Sequence, residues 1–206
     1  MTRLDTHLRR GQIAKAALDI ILQHGVAAVT VRRVAAAVGI SAAAMYRHYT
    51  NKAEILKAIM DEHQEFILAK IRKAKLDGRS PLDVMRRFYF MTMAMIERYC
   101  ALPVLFSSDF LWFKEPQLRA VKIFNHSTLR AIIITMISKA QHHGELRTDI
   151  RANEIAISFI GLFAIPALFK SRATDDMDLP RQIEANWALF INGVAAANDL
   201  NTKADS

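Results

Sequence analysis

The sequence predicts an all-α fold, a three-helix N-terminal domain of helix-turn-helix type followed by a larger helical domain. Three observations carry this. Apolar residues recur at helical spacing along most of the chain, punctuated by cap residues, glycines and prolines. Two short amphipathic stretches, 31–38 and 42–49, are separated by a turn of about three to four residues, the spacing of helix-turn-helix motifs. Charge is also uneven: of a net +8, residues 1–60 hold nine Lys/Arg against three Asp/Glu. Such asymmetry points to a polyanion at the N-terminal end, because cations that neutralise phosphates release counterions.

In the first element, Leu8–His24, Ile13, Ala17, Ile20 and Ile21 form an apolar stripe and Gly25 closes the helix. Residues 1–7 read as a polar arm; Arg3, Arg9 and Arg10 stand where they could reach phosphates or a minor groove. Thr30 is a cap for Val31–Val38, whose Val31, Val34, Ala35 and Val38 face inward while Arg32 and Arg33 face out. Gly39 fits the left-handed position that ends a helix. Ser41 caps the next helix, with Ile40 and Met45 placed as a hydrophobic staple. At 3.6 residues per turn Ala42, Met45, Tyr46 and Tyr49 share one side, leaving Ala43, Ala44, Arg47 and His48 on the other. That second side has no apolar bulk to bury and suits a surface entering the major groove.

These residues also resemble a known signature. The run Thr30-Val31-Arg32-Arg33-Val34-Ala35, then Val38-Gly39-Ile40-Ser41, Met45-Tyr46-Arg47-His48-Tyr49 and Asn51-Lys52 is similar to that of the TetR family of transcriptional regulators, in detail over roughly residues 8–60. The resemblance implies a fold of about nine helices, with a DNA-binding domain at 1–51 and an effector-binding and dimerisation domain at 52–206. It implies a homodimer on a partly palindromic operator in double-stranded DNA, and a small-molecule effector. The candidate DNA contacts are Thr30, Arg32, Arg33, Ser41, Ala42, Ala43, Ala44, Tyr46, Arg47, His48 and Lys52. Positions 42–44 depart from many relatives in being Ala-Ala-Ala, so base reading leans on Arg47, His48 and contacts of the alanines with thymine methyl groups.

After the motif, Asn51 and Glu54 form a reciprocal start signal for a long helix to about Leu76, which would join the two domains. The family resemblance places a phosphate contact at Lys52. Inward positions on this helix are Ile55, Leu56, Ile59, Phe66 and Ile71. Residues 77–81, Asp-Gly-Arg-Ser-Pro, are the clearest break in the chain. The stretch Phe88–Ile96 is apolar nearly all round, as in a helix buried on most sides. Leu102–Phe113 is equally rich and is bracketed by Pro103 and Pro116; further helices are expected over about 116–143, 153–170 and 179–198.

Met85, Phe88, Tyr89, Thr92, Met93, Phe106, Phe110, Trp112 and Phe163 are candidates to line a pocket for an apolar or aromatic effector, or to form ordinary core. The last two helices carry apolar faces wider than one neighbour needs, so a partner chain is implied. Ile155, Phe159, Leu162, Ile183, Trp187, Phe190, Ile191 and Val194 are the candidate contacts, and the resemblance implies a four-helix interface.

Hydrophobic residues make up 52% and charged residues 23% of 206, enough for a sizeable core. The lone cysteine, Cys100, and the absence of an apolar leader fit a reducing cytoplasm. The longest apolar run, Ile155–Phe169, is expected to be broken by Ser158, Gly161 and Pro166, so no membrane span is expected. No acid, base, nucleophile, phosphate loop or metal-ligand spacing stands out, so neither catalysis, cofactor nor metal is expected. The reading is a ligand-responsive repressor; the alternative is an architectural or chromosome-organising DNA-binding protein of the same fold without an effector.

Overall fold

The computed structural model describes residues 3–94, 101–106, 115–171 and 178–196. Those residues are all-helical: α1 (Arg3–His24), α2 (Val31–Val38), α3 (Ala42–Tyr46), α4 (Lys52–Asp77), α5 (Pro81–Met93), α6 (Ala101–Phe106), α7 (Pro116–His142), α8 (Ala152–Ser171) and α9 (Leu179–Val194). A 3₁₀ turn, Val26–Ala28, follows α1. No strand occurs among the described residues; Leu146 and Ala195 make one isolated antiparallel bridge. By internal contacts the chain divides into two units, Met1–Glu65 with Tyr99–Phe124 and Phe66–Arg98 with Asn125–Ser206.

In the first unit, Ile13, Ala17 and Ile21 of α1 are buried with Val34 and Ala35 of α2, Met45 of α3, and Leu56 and Met60 of α4. α1 starts at Arg3, so the expected arm at 1–7 is helical from its third residue. Nothing between Arg3 and Leu8 is a helix breaker. Ala101, Leu102 and Leu105 of α6 and Leu118 of α7 belong to this same core. Pro103 lies in the first turn of α6, where a helix needs no amide donor.

The second unit is built around α5. Met85, Phe88, Tyr89 and Met93 are buried with Ile133 and Ile137 of α7, Ile155, Ala156 and Phe159 of α8, and Trp187 and Phe190 of α9. The break before α5 is tight: a Cβ at Gly78 would lie 2.4 Å from Val84 Cγ2 and 2.8 Å from the carbonyl oxygen of Ala74. Ser80 then caps α5 by accepting from the amide of Asp83, and Pro81 occupies the first turn. The loop after α7 is fastened at both ends. Gln141 Nε2 donates to the carbonyls of Arg147 and Ile150, both at 2.8 Å, and the amide of Arg147 donates to Val194 O at 2.9 Å.

α8, the helix expected over 153–170, is continuous through Ser158, Gly161 and Pro166, although those residues interrupt its apolar run. By length and composition alone Ala152–Lys170 is long and apolar enough to cross a membrane, with mean hydropathy 1.7. One of its faces, bearing Ile155, Ala156 and Phe159, packs into the core of its unit, and the apolar remainder is an open stripe rather than a lipid-facing girdle all round.

Candidate nucleic-acid interface

The two short helices of the first unit are set by local hydrogen bonds. Thr30 Oγ1 accepts from the amide of Arg33 at 3.1 Å, and Ser41 Oγ accepts from the amide of Ala44 at 3.1 Å. Between them Gly39 takes φ 74°, and the amide of Ile40 donates to Ala35 O at 3.0 Å, closing α2. Val31, Val34 and Ala35 turn into the core, which leaves Arg32 and Arg33 exposed.

α3 is pinned from beneath by Met45, fully buried, while Ile40 packs against the same core. Tyr49, just past the helix, is also buried; burial pushes its phenol pKa up, opposed by the nearby Arg10 guanidinium. Ala43, Tyr46 and Arg47 are exposed, and Ala42, Ala44 and His48 are half-buried. The inner side thus differs from expectation in one residue: Tyr46 is 48% exposed instead of sharing the buried side with Met45 and Tyr49. Tyr46 stands about 100° round α3 from Met45, at the edge of the buried side, while Tyr49 past the helix end closes over the core, so Tyr46 joins Arg47 on the outer surface.

At the start of α4 Asn51 caps the helix as the spacing predicts, while Glu54 returns to Thr50 rather than to the amide of Asn51. Asn51 Oδ1 accepts from the amide of Glu54 at 2.9 Å, and the Glu54 carboxylate accepts from Thr50 N at 2.7 Å and Thr50 Oγ1 at 2.8 Å. These bonds, the backbone one first, hold the Glu54 carboxyl below the usual range. Lys52 Nζ donates to Ala27 O at 3.4 Å, so this cation stands beside the turn between α1 and α2. Outward cations from α2, α3 and α4 therefore accompany a small-residue ledge, the combination that positions a helix on phosphates and lets its side chains reach base edges.

In the second unit the expected effector residues are packed against one another. Tyr89 stacks on Trp187 with ring centroids 5.6 Å apart, Phe88 lies 5.4 Å from Phe163, and Phe159 meets Phe163 edge-on at 5.2 Å. Tyr89 Oη donates to Ile183 O at 3.1 Å, and burial pushes its pKa up to about 12. Phe110 and Trp112 lie outside the described residues, as do Cys100 and the side chain of Phe106. A cleft of about 350 Å³ lies elsewhere, between Asp77, Arg86, Arg87, Phe90, Met91 and Glu184. Among the described residues no three His, Cys, Asp or Glu side chains are grouped to hold a metal ion.

The residues expected at a subunit interface divide into two sets. Ile155, Phe159, Trp187, Phe190 and Val194 are buried in the unit's own core, with Leu162, Ile183 and Ile191 partly buried against it. The first five pack within the unit, and the other three keep part of their surface open. The apolar residues left open on the same helices are Ile157, Ile165 and Phe169 of α8, 58%, 55% and 61% exposed, and Leu189 of α9, 73% exposed. Ile157, Gly161, Ile165 and Phe169 fall at i, i+4, i+8 and i+12, one stripe that sequence periodicity could not separate from its buried neighbours.

Comparison with known proteins agrees with this geometry. Two curated relatives, both named nucleoid occlusion factor SlmA, were compared. That of Vibrio campbellii is 28% identical over 112 residues, 54% of this chain and 57% of the relative. That of Klebsiella pneumoniae is 25% identical over 191 residues, 88% and 92% of the two. The chain thus spans little more than half the length of the first relatives it matches. The MbdR regulator from Azoarcus shares the fold with a TM-score of 0.78 at 19% identity, over 89% of this chain and 97% of that one. So does Thermus thermophilus FadR, a TetR-family repressor solved with lauroyl-CoA, with a TM-score of 0.59 at 21% identity, over 89% and 94%. Residues 13–59, which run from α1 across the helix-turn-helix into α4, match the family model described as bacterial regulatory proteins, tetR family. This N-terminal domain is thus similar to that of the tetR family of bacterial regulatory proteins, and the chain shares the fold of its solved structural neighbours.

Proposed function

We propose that this chain is a homodimeric transcriptional repressor that binds a partly palindromic operator and is released by a small apolar effector. One observation carries the reading. Ala43, Tyr46 and Arg47 are exposed on a helix that Met45 pins and Ser41 caps, with Arg32 and Arg33 exposed on the helix before it. A surface of this kind is rigid, cationic at its edge and smooth at its centre, which suits insertion into a major groove. Arg47 and His48 read bases, the alanines meet thymine methyls, and Lys52 clamps a phosphate. Residues 1–51 form the DNA-binding domain, to which Lys52 adds its phosphate contact, and 52–206 carry the effector and dimer functions.

The dimer forms through the open stripes of α8 and α9. Gly161 and Gly193 leave space where a Cβ would meet nothing within 4 Å, so a second backbone can come close there. The effector occupies the Met and aromatic cluster around α5, which must loosen to admit it; Met adapts readily to new shapes. The complex of one structural neighbour with lauroyl-CoA supports an apolar effector class. A coupling of about 1–3 kcal/mol between effector and operator changes affinity some 5- to 150-fold, enough for a switch. α4 contributes residues to both units and is the element along which coupling runs.

The experiment is selection of bound fragments from the source genome, followed by binding titrations with a panel of apolar compounds and, beside them, lauroyl-CoA, an apolar chain on a charged carrier. A shared intergenic inverted repeat, and a compound that both raises the melting temperature and weakens operator binding, are expected. A second reading, a chromosome-organising protein without an effector, is favoured by the relatives named nucleoid occlusion factor SlmA, one of them matched over 92% of its length. Under it the fragments are scattered over the chromosome and no compound changes DNA affinity.

A further inference from the structure

α5 carries a buried polar group that nothing among the described residues satisfies. Thr92 Oγ1 is shielded from solvent and lacks a hydrogen-bond partner, the one such side-chain atom among the described residues. A hydroxyl within a helix commonly turns back to the carbonyl four residues earlier. Thr135 does so onto Ala131 O at 2.9 Å and Ser158 onto Glu154 O at 3.4 Å, but Thr92 does not. The other hydroxyl on this face, that of Tyr89, is committed to Ile183 O. Buried hydroxyls are rarely left this way, and an orphan among packed apolar side chains calls for an explanation.

Thr92 shares one face of α5 with Met85, Phe88 and Tyr89, at seven, four and three residues' distance, and none of these is charged at neutral pH. None of those three offers a counter-ion to a carboxylate or ammonium, whereas a carbonyl oxygen has only to accept one hydrogen bond. We propose that Thr92 Oγ1 donates to the carbonyl oxygen of an uncharged, mostly apolar effector, making the effector class ketones, esters or thioesters rather than hydrocarbons or free acids. This rests on the effector reading given above.

Two uncharged fluorophores test it: 6-propionyl-2-(dimethylamino)naphthalene, whose emission reddens when its ketone accepts a hydrogen bond, and 2-(dimethylamino)naphthalene, which lacks the ketone. Thr92→Val keeps the shape and removes the donor, and Thr92→Ser keeps the donor. Full-length wild type should bind the ketone about five- to tenfold tighter than Thr92→Val, as one hydrogen bond is worth. Its emission should be redder, Thr92→Ser should match wild type, and the ketone-free probe should bind wild type and Thr92→Val alike. Thr92→Val should melt no lower than wild type, since it loses no bond. Equal affinity and emission for the ketone in wild type and Thr92→Val would overturn the assignment alone. Failure of both probes to bind wild type would overturn it together with the effector reading.

Discussion

The hydroxyl oxygen of Ser41 accepts the amide hydrogen of Ala44 at 3.1 Å, and this bond starts a helix only five residues long. So short a helix has almost no propagation to offset its nucleation, so the cap is a large part of what defines it. Ser41→Ala should cost about 1 kcal/mol in urea unfolding. It should also weaken binding to specific DNA more than to random duplex, because the disordered ledge loses base contacts before it loses charge. Ser41→Thr, which keeps the acceptor, should recover most of both.

Reading and clamping separate in two substitutions. Arg47, exposed beyond the end of α3, should when changed to Ala cost on the order of 1–3 kcal/mol on the operator and relax preference at one or two base pairs. Lys52→Ala should weaken all sequences alike and lower the salt slope by about one. Competition titrations at several salt concentrations check this; equal losses on specific and random DNA for both variants would remove the distinction.

The subunit interface can be told from the core by where each residue faces. Leu189→Glu and Ile157→Glu place a charge on open stripes and should convert dimer to monomer in sedimentation while helicity is kept. Phe159→Ala, at a buried site ringed by Phe88, Tyr89, Phe163 and Phe190, should instead lower stability by about 3–5 kcal/mol.

Gly78→Ala should destabilise by about 1–3 kcal/mol, since its Cβ must displace both Val84 and a backbone carbonyl. Adding Val84→Ala should restore part of that loss and no more, because the Ala74 carbonyl stays where it was. Chemical denaturation of the single and double variants measures the coupling.

Lys122, only 5% exposed, has its ammonium pKa pushed down to about 8 by burial, from an ordinary 10.5. Between pH 8 and 10.5 the unfolded chain holds this proton while the folded chain has lost it, so the group makes stability rise with pH across that window. Tyr49 and Tyr89 act oppositely: burial raises both, so above pH 10 the unfolded chain loses phenolic protons that the fold retains, and stability falls. Unfolding midpoints should therefore rise from pH 8 toward 10 and then decline. Lys122→Met should flatten the rise and leave the decline.

Local chemistry made the helix-turn-helix legible from the residues. Thr30, Gly39, Ser41 and the Asn51–Glu54 pair act through hydrogen bonds within four or five positions, and each took the role its neighbours predict. What depends on distant packing was not legible. Nothing around Leu102 and Leu105 tells that they share a core with α1, and Tyr46, about 100° round the helix from Met45, stands at an edge whose burial only the packing decides. α8 is apolar on nearly every side, so periodicity could not say that Phe159 faces its own core and Ile157 faces out. Pro166 interrupts the apolar run but not the helix expected there, which runs on through it.

The most direct test of the account is a titration of the full-length protein against two duplexes of equal length and composition, one the genomic fragment it enriches and the other that fragment shuffled. Wild type should bind the enriched fragment as one dimer, at least about a thousandfold tighter than the shuffled one at physiological salt. Equal affinity for the two, or binding of the enriched fragment by a monomer, would contradict it.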